Sequence, residues 1–122
     1  MKSGKTILVP LVLLTALMVG FSSIGYCDAA AIRKSFKVYD TGKNYFDNGD
    51  YRRAVSQFED VVGNYPETDL TEAAMYYLGK SYEKMDNNKQ AISVYEALIK
   101  RFRRGYWVKS ARDHIKDIRS AE

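Results

Sequence analysis

The sequence predicts an all-α protein built as a solenoid of antiparallel helix pairs, two pairs followed by a C-terminal capping helix. Two observations carry that prediction. Apolar residues recur at three- and four-residue spacing from Phe36 to Ile118, and no segment sustains the two-residue alternation of a strand. A group formed by Gly42, Tyr45, Ala54 and Phe58 also returns 37 positions later (42 to 79) as Gly79, Tyr82, Ala91 and Tyr95. A repeated two-helix unit cannot bury its apolar face alone, so its copies must stack.

The first helix is expected to begin near Ala30–Arg33 and to run to Asn48, with Phe36, Val38, Tyr39, Tyr45 and Phe46 at helical spacing. Asn48-Gly49-Asp50 ends it, because Gly49 can take the left-handed conformation and Asp50 can cap the next helix. The second helix, about 51–64, sets Ala54, Val55, Phe58, Val61 and Val62 on one stripe. Pro66 stops it and disfavours helix at Tyr65. A third helix from Asp69 or Leu70 to Met85 turns Ala74, Met75, Leu78 and Tyr82 inward, with Asp69 and Thr71 as caps. Asp86-Asn87-Asn88 repeats the first turn with Asp86 in the place of Gly49. The fourth helix, about 89–102, buries Ala91, Ile92, Tyr95, Leu98 and Ile99. After Gly105, a last helix over about 106–120 carries Val108, Ala111, Ile115 and Ile118. Gly42 and Gly79 each cost about 1 kcal/mol against alanine within a helix. Each stands twelve positions before a small alanine, Ala54 or Ala91, which suits a close backbone crossing.

These residues resemble the tetratricopeptide repeat, whose skeleton is W-x2-L-G-x2-Y, then A-x3-F, then P. Gly42, Tyr45, Ala54, Phe58 and Pro66 match in the first unit, with Val38 and Thr41 in place of the large early residues. Leu78, Gly79, Tyr82 and Ala91 match in the second, Met75 stands for the tryptophan and Tyr95 for the phenylalanine. Arg103 falls where the proline would stand, so the second unit ends differently. The units span about 35–68 and 72–105, and the last helix about 106–120 is half a repeat capped by Arg112, Lys116 and Arg119. The lengthened linker Glu67–Thr71 (Tyr-Pro-x-Thr-x) is similar to the cell-envelope branch of bacterial repeat proteins, which includes outer-membrane assembly lipoproteins and the periplasmic partner of the Tol–Pal system. That resemblance implies an adaptor or scaffold holding another envelope protein or peptide.

The first 29 residues read as an export signal. Lys2 and Lys5 supply its positive start, an interrupted apolar run covers Ile7 to Phe21, and small residues appear around Cys27 and Ala29. Cleavage after Ala29 is the expected processing, leaving 30–122 as one periplasmic domain. Two alternatives stay open. Thr6 to Ile24 nearly reaches a bilayer-spanning length. Ile24-Gly25-Tyr26-Cys27 also resembles a lipoprotein box, although Tyr26 occupies its small-residue place. Membrane association is expected only if Cys27 is lipidated or the leader is retained, facing the periplasm.

In this repeat architecture the first helix of each unit lines the concave groove. The resemblance therefore assigns Phe36, Tyr39, Lys43, Phe46, Tyr76, Lys80 and Glu83 to partner binding. Aromatic anchors interleaved with lysine suit a peptide with apolar and acidic side chains. A carboxylate clamp of the kind some family members use is missing, since its positions fall on Tyr39, Lys43, Tyr77, Ser110 and His114. Lys100, Arg101, Arg103, Arg104, Lys109 and Arg112 form a basic patch interleaved with Phe102, Tyr106 and Trp107. It would suit anionic lipid, glycan or an acidic protein surface. For Lys100–Arg104 the simpler reading is cations attracted to a helix C-terminus, and Trp107 is expected to pack beneath the last helix.

Catalysis is not expected. His114 is the only histidine, Asp113 points away from it along the helix, and Asp117 suits a surface hydrogen bond. No activated-serine motif, metal-ligand cluster or phosphate-cradling loop is present in the sequence, so no cofactor and no metal is expected. A net charge of +4, falling to +3 without Lys2, Lys5 and Asp28, does not call for nucleic acid. Two and a half repeats fall short of the usual three, so a self-associating homo-oligomer is the second expectation.

Overall fold

The computed structural model describes residues 29–65 and 67–122. The leader, Cys27 and Pro66 lie outside them. Ile32–Glu122 forms one compact unit, and the described residues 29–31, which are helical, belong to another. Among the described residues the protein is all helix. α1 is helical over 29–47, followed by α2 (Tyr51–Asn64), α3 (Asp69–Lys84), α4 (Asn88–Phe102) and α5 (Tyr106–Ala121).

α2 packs on α3, α3 on α4 and α4 on α5, α3 also touches α5, and α1 meets α2 through Gly42 and Tyr39 against Phe58. The core falls into two apolar clusters, one per repeat. Ala54, Phe58 and Val61 of α2 meet Ala74 and Leu78 of α3, with Val38, Tyr39, Tyr45 and Phe46 of α1 closing over them. Met75 of α3 meets Ala91, Tyr95 and Leu98 of α4 and Val108, Ala111, Ile115 and Ile118 of α5. α3 serves both clusters, which is how a solenoid joins its units into one body.

The two mid-helix glycines have a steric cause. A Cβ on Gly79 would lie 2.5 Å from Cε1 of Tyr95, whose side chain is fully buried. A Cβ on Gly42 would lie 2.9 Å from Cε1 of Phe58. The partner is therefore the ring one turn beyond Ala54 or Ala91, rather than the alanine alone. In both units glycine on the first helix admits the aromatic of the second.

The turns repeat as well. Asp50 accepts a hydrogen bond from the Arg53 amide at 3.2 Å, and Asn87 accepts one from Gln90 at 3.4 Å, each capping the helix after it. Before each cap stands a residue with positive φ, Gly49 at 81° and Asp86 at 58°. In front of α3, the Thr68 amide donates to Thr71 Oγ1 in a capping box, so the cap is one residue earlier than Asp69. Arg103, which falls where Pro66 stands in the first unit, is itself left-handed (φ 60°) and ends α4.

Candidate protein-binding face

α1, α3 and α5 are the first helices of their units, and their side chains meet on a shared face. The residue that organises it is Tyr77. Its ring stacks on Phe58 at 5.8 Å with a 23° interplanar angle, and Phe46 and Tyr39 of α1 approach it edge-on at 5.4 and 6.3 Å. On its other side stand Tyr76 at 5.4 Å and Trp107 of α5 at 5.6 Å. Trp107 in turn lies 4.7 Å from Tyr76 and 4.9 Å from Tyr106. Rings thus run without a break from α1 across α3 to α5. Tyr39, Phe46, Tyr76, Tyr77 and Trp107 are all half-buried, so each keeps an edge at the surface.

Lys43 crosses this row. Its Nζ sits 4.1 Å above the Tyr77 ring and 5.3 Å from Phe46, and it also pairs with Asp47 at 3.0 Å. A cation over aromatic faces is held by the ring quadrupole. Lys80, one repeat on, is half-buried on α3.

The α3–α5 junction is polar. His114 donates or accepts through Nε2 with the Tyr76 hydroxyl at 3.1 Å, and its Nδ1 lies 3.0 Å from Glu83 Oε2. The Tyr95 hydroxyl donates to the same Glu83 oxygen at 2.9 Å. His114 stacks on Tyr95 at 5.5 Å with a 21° angle, which is the placement Tyr77 has over Phe58 one repeat earlier. This corrects the sequence-based pairing of His114 with Asp117. Stacking fixes the ring on the α3 side, where Glu83 is the acid in reach.

An acid, a histidine and a hydroxyl in line resemble a proton relay in connectivity. Burial and the Glu83 carboxylate both push the Tyr95 phenol up, and burial with neighbouring Tyr77 and Glu83 does the same at Tyr76. Both phenols are held neutral, and the Tyr95 hydroxyl acts as a hydrogen-bond donor to Glu83. Burial, with Tyr77 and Asp47 nearby, likewise pushes Tyr39 up to about 12. The network is a clasp between α3, α4 and α5.

Of the expected groove residues, Tyr39, Lys43, Phe46 and Tyr76 come together on this face. Phe36 does not join the rings and is 63% exposed at the edge of α1. Glu83 is spent on His114 and Tyr95. Sequence reasoning missed Tyr77 as the hub, although the spacing of Tyr76 and Tyr77 was visible. Trp107 packs against the cluster beneath α5 as expected, and its indole also lies against Tyr76 and Tyr77. Within the basic patch, Arg101 turns away to Glu67 at 3.3 Å. Lys100, Arg103, Arg104, Lys109 and Arg112 are exposed.

Among the described residues no group of His, Cys, Asp and Glu is arranged to hold a metal, and no helix is long and apolar enough to cross a membrane. Residues 38–68 and 73–104 match the tetratricopeptide repeat family, just over half of the 122-residue chain. The protein belongs to this family, a non-enzymatic fold whose repeats mediate protein–protein interactions. No curated protein matches the chain as a relative.

Proposed function

We propose that the protein is an exported adaptor that holds a segment of another envelope protein on the α1–α3–α5 face. The observation that carries this is the continuous row of half-exposed rings crossed by Lys43, from Phe46 through Tyr77 to Trp107. Aromatic edges provide contact area at low rotamer cost, and Lys43 and Lys80 favour an acidic residue in the partner. Residues 1–29 acting as an export signal would place this face in the periplasm. Tyr39, Lys43, Phe46, Tyr76 and Lys80 are the proposed contacts, with Tyr77 and Trp107 added to them, while Phe36 marks the rim.

Alanine at Tyr39 and Tyr76 would test this poorly, because Tyr39 packs on Phe58 and Tyr76 bonds to His114. Lys43→Glu with Lys80→Glu reverses the charge of the face while leaving the rings in place. Affinity capture from envelope extract with the wild-type and the double variant is the test. Loss of a distinct envelope protein, with the melting temperature held, supports the adaptor. Identical capture by both chains rules the face out as the binding surface.

Self-association is the second reading. It is favoured by Ile32 and Phe36, 46% and 63% exposed on adjacent turns of α1, and predicts a concentration-dependent size lost in Phe36→Ser.

A further inference from the structure

The 37-residue register aligns α5 with α3 position by position and exposes a second surface. On α3, Met75 and Gly79 form the face that receives α4, with Tyr82 at its edge towards α2 and Glu72 beside Gly105 in the turn after α4. Met75 and Gly79 are buried, and Tyr82 packs against the α4 cluster. The same positions on α5 are Lys109, Arg112, Lys116 and Arg119, all exposed. A helix seat is thus present with every seat residue cationic. Only Arg119 has an ion-pair partner among the described residues, Glu96 at 2.8 Å. That contact also obeys the repeat. Glu96 stands one register after Glu59, which accepts from Tyr82 at 3.0 Å. Lys100 and Arg103 at the end of α4 extend the charge.

An apolar helix cannot occupy this seat. Gly79 lets the Tyr95 ring approach α3, but Lys116 fills the equivalent place, and Lys109 and Arg112 would be buried without partners. Carboxylates reach such cations from a greater distance and neutralise them. We propose that this end face docks an acidic helix of a partner protein, which lies along α5 as the second helix of a third unit. The linear array of cations at alternating three- and four-residue spacing fits a rod with acids on one side. A flat lipid headgroup layer would not select for that spacing. The surface is separate from the aromatic face, since Trp107 and His114 point from α5 to α3 while the seat residues lie on another flank of α5.

The test uses an alanine-rich peptide, stapled into a helix, with glutamates along one face. Its control has the same composition with the glutamates spread around the helix, and vesicles containing phosphatidylglycerol are assayed in parallel. The striped peptide is expected to bind at least about tenfold tighter than the control and to weaken as salt is raised. Lys109→Glu with Lys116→Glu should abolish that binding, and Lys43→Glu with Lys80→Glu should leave it intact, which separates this surface from the adaptor face. If the charge-reversed chain melts early, Lys109→Gln with Lys116→Gln is read for the same loss. Equal affinity for both peptides would overturn the proposal, as would vesicle binding with no peptide binding, which would assign the face to anionic membrane.

Discussion

At Gly79 a single added methyl would collide with a fully buried ring, since the nearest three atoms of Tyr95 lie 2.5, 2.7 and 2.9 Å from its Cβ position. Tyr95 has no room to retreat, being stacked on His114 and bonded to Glu83. Gly79→Ala is therefore expected to lose about 1–3 kcal/mol despite the gain in helix propensity. Gly42→Ala, 2.9 Å from the edge of Phe58, should lose less. Gly63 in α2 has nothing within 4 Å of its Cβ, so Gly63→Ala should stabilise by about 0.5–1 kcal/mol. Chemical denaturation of the three variants checks the order. Tyrosine protonation acts at the same scale. Tyr39, Tyr76, Tyr82 and Tyr95 are all raised above the ordinary phenol value of 10.0. A raised pKa means that the folded state holds the proton longer than the unfolded state. Their stabilising contribution is complete below pH 10 and is lost as pH rises through each raised value, which for Tyr39 is about 12. The difference in tyrosinate absorbance between the wild type and Tyr39→Phe, followed beside circular dichroism, should place ionisation of the Tyr39 phenol well above pH 10, and its ionisation at pH 10 with the helices intact would contradict the account.

Helix boundaries were legible in the sequence because their signals are local. Asp50, Asn87, Gly49 and Asp86 carry turn and cap chemistry within four residues of where it acts, and the structure uses all four. Asp50→Ala should cost about 1 kcal/mol through loss of the α2 cap. Asp86→Gly should give back part of the cost of a left-handed non-glycine residue. The contacts of α5 were not legible. His114 meets Tyr76 and Glu83 from 38 and 31 positions away, and only stacking on Tyr95 determines which acid it finds. That the Trp107 indole meets Tyr76 and Tyr77 is illegible for the same reason, because helical spacing gives a residue's angle on its own helix but not the ring it meets. Glu83→Ala removes the acceptor of the Tyr95 hydroxyl and leaves a buried donor unpaired, at a cost of about 1–3 kcal/mol. Hydrogen exchange should then quicken in α5 before α2, and uniform quickening would contradict a clasp local to the C-terminal helices.

Across Ile32–Glu122 the two repeats share one design, in which glycine on the first helix admits an aromatic ring of the second, and α3 carries another face towards α2 of the first repeat. The register shows where its apolar faces give way to polar ones. Lys37 and Thr41 stand on α1 where Ala74 and Leu78 are buried on α3, and exposed Lys116 and Arg119 stand on α5 at the positions of Gly79 and Tyr82. Between these polar ends, the row of rings over α1, α3 and α5 is the surface proposed to hold a partner. The repeat family and the all-helical fold could be read from spacing because the chain states the pattern twice, once in each unit. The partner face could be read only in part, because Tyr77 and Trp107 join it through packing between units.

The adaptor role is tested most directly in intact cells, with a photo-cross-linking side chain placed at Lys80 on the proposed face or at the exposed Ser93 on α4. An adaptor working through this face predicts that an envelope protein is captured from position 80 and not from position 93. Capture of the same protein from both positions, or of only a second copy of this chain from position 80, would contradict it.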